Sequence, residues 1–139
     1  MKKLYLLFLF MLTAIILTSC KEDIKAEMNP KIAILGKWEI THLGNGSELI
    51  PIDNPSAYEE YLPDSILQSY NYEEKTFDKY KFWLNDSLLI KSFTYIDQID
   101  KDTIVFTLPY KYEFITPNKL KLDFEYPAIF GTSIYKRIK

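Results

Sequence analysis

From Gly36 to the C terminus, apolar and polar residues alternate with a period of two, the pattern of strands with one buried and one wetted face. The clearest run is Lys119 to Tyr126, where Leu120, Leu122, Phe124 and Tyr126 share a face and every intervening residue is charged. Tyr110, Tyr112 and Phe114 alternate with Lys111 and Glu113, and Ile104, Phe106 and Leu108 with Thr103, Val105 and Thr107. Tyr80, Phe82 and Leu84 face away from Lys79, Lys81 and Trp83, while Trp38, Ile40 and His42 oppose Lys37, Glu39 and Thr41. The pattern predicts strands over 37–43, 47–52, 68–74, 77–84, 87–96, 103–108, 110–116, 119–126 and 132–138. Asn45-Gly46, Asn85-Asp86 and Pro117-Asn118 supply tight turns between them, and Asp97 to Asp102 joins two more.

Short hairpins in series predict an all-β, up-and-down antiparallel β-barrel of about eight strands. Alternation does not demonstrate closure, so a sandwich is the competing architecture. One interval breaks the rhythm. Between Asp53 and Leu62, Asn54 can cap and Pro55 can occupy a first helical position, or Ser56 and Glu59 can form a capping box, with Pro63 as the stop. A short helix is therefore expected in the loop after the first strand. Lys31 to Leu35 reads as a shorter apolar turn just before that strand.

The N terminus carries a different signal. Met1-Lys2-Lys3 is a positive start, and Leu4 to Thr18 is a nearly unbroken apolar run of signal-peptide length, short for a membrane span. It ends in Leu17-Thr18-Ser19-Cys20, which resembles the lipobox of bacterial lipoproteins. That resemblance implies a signal peptide over 1–19, diacylglycerol and palmitate attached through Cys20, and an outer-membrane lipoprotein of the cell envelope. Residues 20–30 read as a lipidated tether and 31–139 as one barrel domain. Lys21-Glu22-Asp23 resembles the surface-export signal of some Gram-negative lipoproteins, and reads equally well as a solvated tether.

Composition narrows the chemistry. The 139 residues carry 17 basic and 19 acidic groups; removing residues 1–19 leaves 120 residues and a net charge of −4. No basic excess exists to neutralise phosphates, so no nucleic-acid partner is expected. One cysteine and one histidine exclude a disulfide framework and a thiolate or imidazole metal cluster, so neither metal nor cofactor is expected. Asp97, Asp100 and Asp102 lack the glycine and distal glutamate of a calcium loop and read as a solvated turn. No G-x-S-x-G elbow accompanies Ser47 and Asp53. His42 is the single side chain whose ordinary titration falls near neutrality, and it reads as an interior or rim residue. The chain is expected not to be an enzyme.

Gly36-Lys37-Trp38 resembles the G-x-W pattern that opens the first strand of lipocalins. In that family a last-strand arginine covers the tryptophan, and the sole arginine here, Arg137, lies in the terminal Tyr135-Lys136-Arg137-Ile138. The resemblance spans about residues 31–139 and implies a small lipocalin-like barrel, with Trp38 and Arg137 as a structural pair. The chain departs from eukaryotic lipocalins in lacking their disulfides and their mid-sequence glycine-rich turn. Guanidinium over indole is in itself a favourable cation–π contact, and lysine stacks less well.

The 11 tyrosines and 9 phenylalanines are the remaining hint. Tyr80, Tyr95, Tyr110, Tyr112 and Tyr126, with Trp38 and His42, can line a cavity for a small apolar or amphiphilic ligand, or they can fill a narrow barrel. The first alternative is a non-catalytic ligand binder, expected as a monomer. The second is an envelope interaction module for protein or glycan, using exposed aromatics such as Trp83 or the 44–66 excursion. Asp64-Ser65-Ile66, Asp86-Ser87-Leu88 and Asp102-Thr103-Ile104 resemble O-glycosylation acceptors of some Gram-negative groups, at Ser65, Ser87 and Thr103; Asp-Ser also marks turns.

Overall fold

A computed structural model of the chain describes residues 28–97, 99, 101–126 and 131–139. The signal segment, Cys20 and the Lys21-Glu22-Asp23 motif lie outside the described residues, as does Asp100. One turn of helix, α1 (Pro30–Ala33), precedes nine strands: β1 (Gly36–Asn45), β2 (Glu48–Pro51), β3 (Ala57–Leu62), β4 (Ile66–Asn71), β5 (Thr76–Leu84), β6 (Leu88–Ile96), β7 (Thr103–Thr116), β8 (Lys119–Phe124) and β9 (Thr132–Ile138). Neighbours are antiparallel in the order β2-β1-β3-β4-β5-β6-β7-β8-β9, and β9 pairs back onto β1. β1 and β3 to β9 thus close an eight-stranded up-and-down barrel. β2 lies along the upper part of β1, on the edge that β3 occupies lower down.

Strand direction assigns the ends. α1, the β3–β4, β5–β6 and β7–β8 connections and the C terminus gather at one end. The β1–β2, β4–β5, β6–β7 and β8–β9 connections form the other. Asn29 caps α1 by accepting the Lys31 amide on Oδ1 at 3.0 Å, with Pro30 at the first helical position.

Three expectations are corrected. The helix expected over 53–62 is instead strand β3, followed only by a 3-10 turn at Pro63–Ser65. The capping residues were present, but the segment completes the barrel by pairing with β1 and β4 over nearly its whole length. Its alternation is hidden because a carboxylate, Glu59, occupies an inward position beside buried Tyr61. Second, 103–108 and 110–116 are one continuous strand. The carbonyl of Pro109 accepts from the Glu125 amide at 3.0 Å, so its ring nitrogen also points toward β8, where that ladder ends at Phe124. Proline therefore removes no bond from the β6–β7 ladder.

Third, His42 does not share a face with Trp38. Ile40 lies opposite Tyr135 but His42 lies opposite Ile134, the next residue of β9, so a bulge at Thr41 shifts the register by one. Every residue beyond the bulge changes face, which turns His42 outward and Leu43 inward. The His42 ring contacts the Thr41 hydroxyl at 3.0 Å, and that hydroxyl donates to the Ile134 carbonyl at 3.1 Å.

The core fills the α1 end. Ile34, Trp38, Tyr61, Leu67, Leu89, Leu120 and Leu122 are essentially inaccessible, and each large aliphatic side chain so buried stabilises the fold by about 1.5–3 kcal/mol. Trp38 packs 6.2 Å from Phe114, and Tyr61 meets Phe82 edge-on at 4.9 Å.

Candidate functional site

The closed end is a plug. The Trp38 indole donates to the Ile34 carbonyl at 2.7 Å, tying the chain after α1 across the barrel. The Arg137 guanidinium covers the indole at 4.3 Å from its centroid and donates to the carbonyls of Ala33, Leu35 and Pro117. Its partial burial lowers the arginine pKa. Gly36 has φ +115°, and a Cβ there would stand 2.7 Å from Arg137 Nη1. The glycine is what lets the guanidinium reach its three carbonyls.

Above this plug an ion pair crosses the interior. Lys91 of β6, only 3% exposed, donates to both Glu59 oxygens of β3 at 2.7 and 2.8 Å. The Tyr61 hydroxyl donates to Glu59 Oε2 at 2.7 Å, and the ammonium lies 5.0, 5.6 and 5.9 Å from the rings of Tyr110, Tyr135 and Tyr61. Burial, then the Glu59 charge, pushes the Tyr61 and Tyr135 hydroxyls well above the ordinary tyrosine range. The sequence marked Glu59 only as a capping-box residue and did not single out Lys91. Lys91 does carry a signal: it is a lone charge on the apolar face that Leu89 and Phe93 continue.

Toward the open end the interior changes character. Inward positions on β3, β4 and β5 are Ala57, Ser69, Asn71 and Asp78, a small and polar arc. Those on β6, β7 and β8 are Phe93, Tyr95, Ile104, Phe106 and Phe124, an apolar arc. None of these nine is buried. Tyr95, Ile104 and Phe106 are 52, 47 and 46% exposed although they occupy interior faces. The β5–β6 ladder stops at Lys81 and Ser92, whereas β6–β7 continues to Ile96 and Thr103, so the upper β6–β7 hairpin stands clear of β5. Phe93 bridges the parting strands, 4.6 Å from Tyr80 and stacked 5.3 Å from Phe106. These inward faces, aromatic on one side and polar on the other, stand above Lys91–Glu59 and its tyrosines, and the region between them is called the cup below.

The seven residues expected around a ligand are not brought together. Trp38 is inaccessible beneath the plug, and His42 faces outward. Tyr112 lies near the closed end, its hydroxyl donating to the Asn85 carbonyl at 3.3 Å. Tyr110 packs under Lys91. Tyr95 belongs to the cup wall. Tyr80 lines a cavity of about 420 Å³ where β5 and β6 part, with Ile66, Ser92, Thr94 and Val105. Tyr126 stands at the rim, beside a cavity of about 370 Å³ that Phe124 and Asn45 also line. Ser65, Ser87 and Thr103 are all exposed, and Ser65 sits in the 3-10 turn at φ +63°. Trp83 is 42% exposed on the outer wall. Among the described residues no group of three or more His, Cys, Asp or Glu side chains could hold a metal ion, and no helix is long and apolar enough to cross a membrane.

No protein-family model matches the chain, and no curated protein matches it. A solved structure of an uncharacterized protein from Bacteroides eggerthii DSM 20697 is similar at 12% identity, with a TM-score of 0.49, over 76% of this chain and 99% of that one.

Proposed function

We propose that this is a non-catalytic, lipid-anchored protein of the bacterial cell envelope, with a lipocalin-like barrel that holds a small apolar or amphiphilic ligand in the cup. One observation carries the reading: Tyr95, Ile104 and Phe106 face inward and yet remain about half exposed. Apolar side chains turned inward and left unfilled by the protein gain free energy from an apolar occupant. The polar arc of Ser69, Asn71 and Asp78 offers hydrogen bonds to the other end of an amphiphile. The lipobox-like Leu17-Thr18-Ser19-Cys20 supports anchoring through Cys20 to the outer membrane. The tether joins the chain at the closed end, which favours a cup directed away from the anchoring leaflet. A second reading, an interaction module, draws on Ile99 and Val105, which are 88 and 61% exposed outside the cup.

Native mass spectrometry of the full-length protein, released from its source membrane in mild detergent, tests the first reading, paired with titration of the neutral apolar dye N-phenyl-1-naphthylamine. A co-purified small molecule or one dye per chain is expected, with uptake lost in Phe106→Asp and the melting temperature retained. A bare chain that takes up no dye overturns it.

A further inference from the structure

Resting on the cup reading, we infer that its ligand is a cation: an organic ammonium or amine with an apolar body. The aromatic wall sets the apolar part, and the charges around it set the sign. Among the described residues, the one lysine on the inward face, Lys91, is sealed beneath the floor and held by both oxygens of Glu59, so it offers no site for an anion. Asp78 is the exposed inward charge, two residues above Tyr80 on the same face of β5. Lys79 and Lys81 alternate with it and therefore point out of the barrel.

The turns that frame the opening repeat this sign. Glu73 and Glu74 stand in the β4–β5 turn with Lys75, and Asp97 and Asp102 flank the β6–β7 turn with Lys101. A cation entering the cup meets a negative potential from Asp78 and both turns, and then the faces of Phe93, Tyr95 and Phe106. Aromatic faces carry negative quadrupole density and attract cations at short range. An anion of the same shape meets repulsion at the rim and no accessible cation below it. The aromatic wall accepts an apolar chain of either sign; the carboxylates discriminate between them.

The test compares three six-carbon probes on the full-length chain in lipid nanodiscs: hexyltrimethylammonium, 1-hexanol and hexyl sulfate. The expected order is ammonium tightest, by about tenfold over the alcohol, with the sulfate weakest. Asp78→Asn is expected to bring the ammonium down toward the alcohol and to leave the alcohol unchanged. Glu73→Gln/Glu74→Gln is expected to produce a smaller loss of the same kind that salt also produces. Equal affinity for the three probes, preference for the sulfate, or an unaltered ammonium affinity in Asp78→Asn overturns the inference. If the neutral dye enters the cup while no hexyl probe binds, the cation inference fails alone. If the dye also fails to enter, the cup reading fails with it.

Discussion

Lys91 reaches both carboxylate oxygens of Glu59 across the barrel interior, from a strand that lies three places away in the sheet. Two charges at this depth persist because each satisfies the other, while three tyrosine rings surround the ammonium. They form the boundary between the filled lower barrel and the open cup.

Removing one partner leaves the other charge buried and uncompensated. Glu59→Leu is expected to cost about 3–5 kcal/mol, read as a lower urea midpoint. The double variant Glu59→Leu/Lys91→Met is expected to recover most of that loss, because neither residue then carries charge into the interior. Additive losses in the two single variants and the double would show that the pair is not coupled.

Gly36 and Arg137 form a second coupled pair. Gly36→Ala places a Cβ against Nη1 and imposes a strained φ, for an expected loss of about 1–3 kcal/mol. Arg137→Ala is expected to lower the melting temperature and alter the Trp38 fluorescence. Lysine at 137 is not expected to restore either, since it lacks the planar stack and the fork that serves three carbonyls. In an Arg137→Ala background the steric part of the Gly36→Ala penalty disappears. Equal penalties in both backgrounds would exclude the contact as its cause.

Stability is expected to fall in alkali. Burial pushes the Tyr72 hydroxyl up to about 12, with its 2.6 Å hydrogen bond to Glu39 reinforcing the shift, against 10.0 for an unperturbed tyrosine. Tyr61 and Tyr135 shift the same way. The folded state therefore keeps protons that the unfolded state releases. The associated stability is fully present below pH 10 and is lost as the pH rises toward 12. Tyrosinate absorbance is expected to rise together with loss of the far-ultraviolet circular dichroism of the strands. Full tyrosine titration in a still-folded chain would contradict the burial.

Acid works on a different pair. Hydrogen bonds from Lys136 and Tyr72 hold the Glu39 carboxyl below its ordinary range. Their contribution is present above the unfolded carboxylate pKa and is lost as the pH falls through the folded one. Lys136→Met is expected to reduce stability by about 1 kcal/mol or less near neutrality, because that lysine is half exposed, and the difference from the parent is expected to vanish in acid.

The bulge at Thr41 makes opposite predictions for adjacent residues. His42→Ala is expected to change stability by less than about 0.5 kcal/mol and to leave dye uptake intact. Leu43→Asp places a charge on the inward face and is expected to destabilise the upper barrel. A large effect at His42 with none at Leu43 would restore the unbulged register.

β5, β6, β8 and β9 were legible to within a few residues, and β7 apart from the break expected at Pro109, because their alternation is strict and their turns carry the residues that turns require. The apolar turn expected over Lys31 to Leu35 corresponds to α1, but Asn29 and Pro30, which cap and open it, fall within the expected tether. β3 was not legible. Its inward Glu59 is unfavourable on every local criterion, and its partner Lys91 lies 32 residues away. The cup residues were only partly legible: the pattern placed Phe106 and Ile104 on an interior face, yet nothing in it distinguishes a filled interior from an open one.

The sequence by itself determined which residues share a face within each regular run, where most turns fall, and that the interior is aromatic. Period, turn chemistry and composition are local properties that need no partner. Only the tertiary structure decided that β3 exists, that the bulge turns His42 outward, and that Lys91 and Glu59 meet inside. It also decided that the β6–β7 hairpin rises clear of β5. Each of these depends on pairing between distant segments, where the cost of a buried charge or a shifted register is offset by contacts that local pattern does not encode.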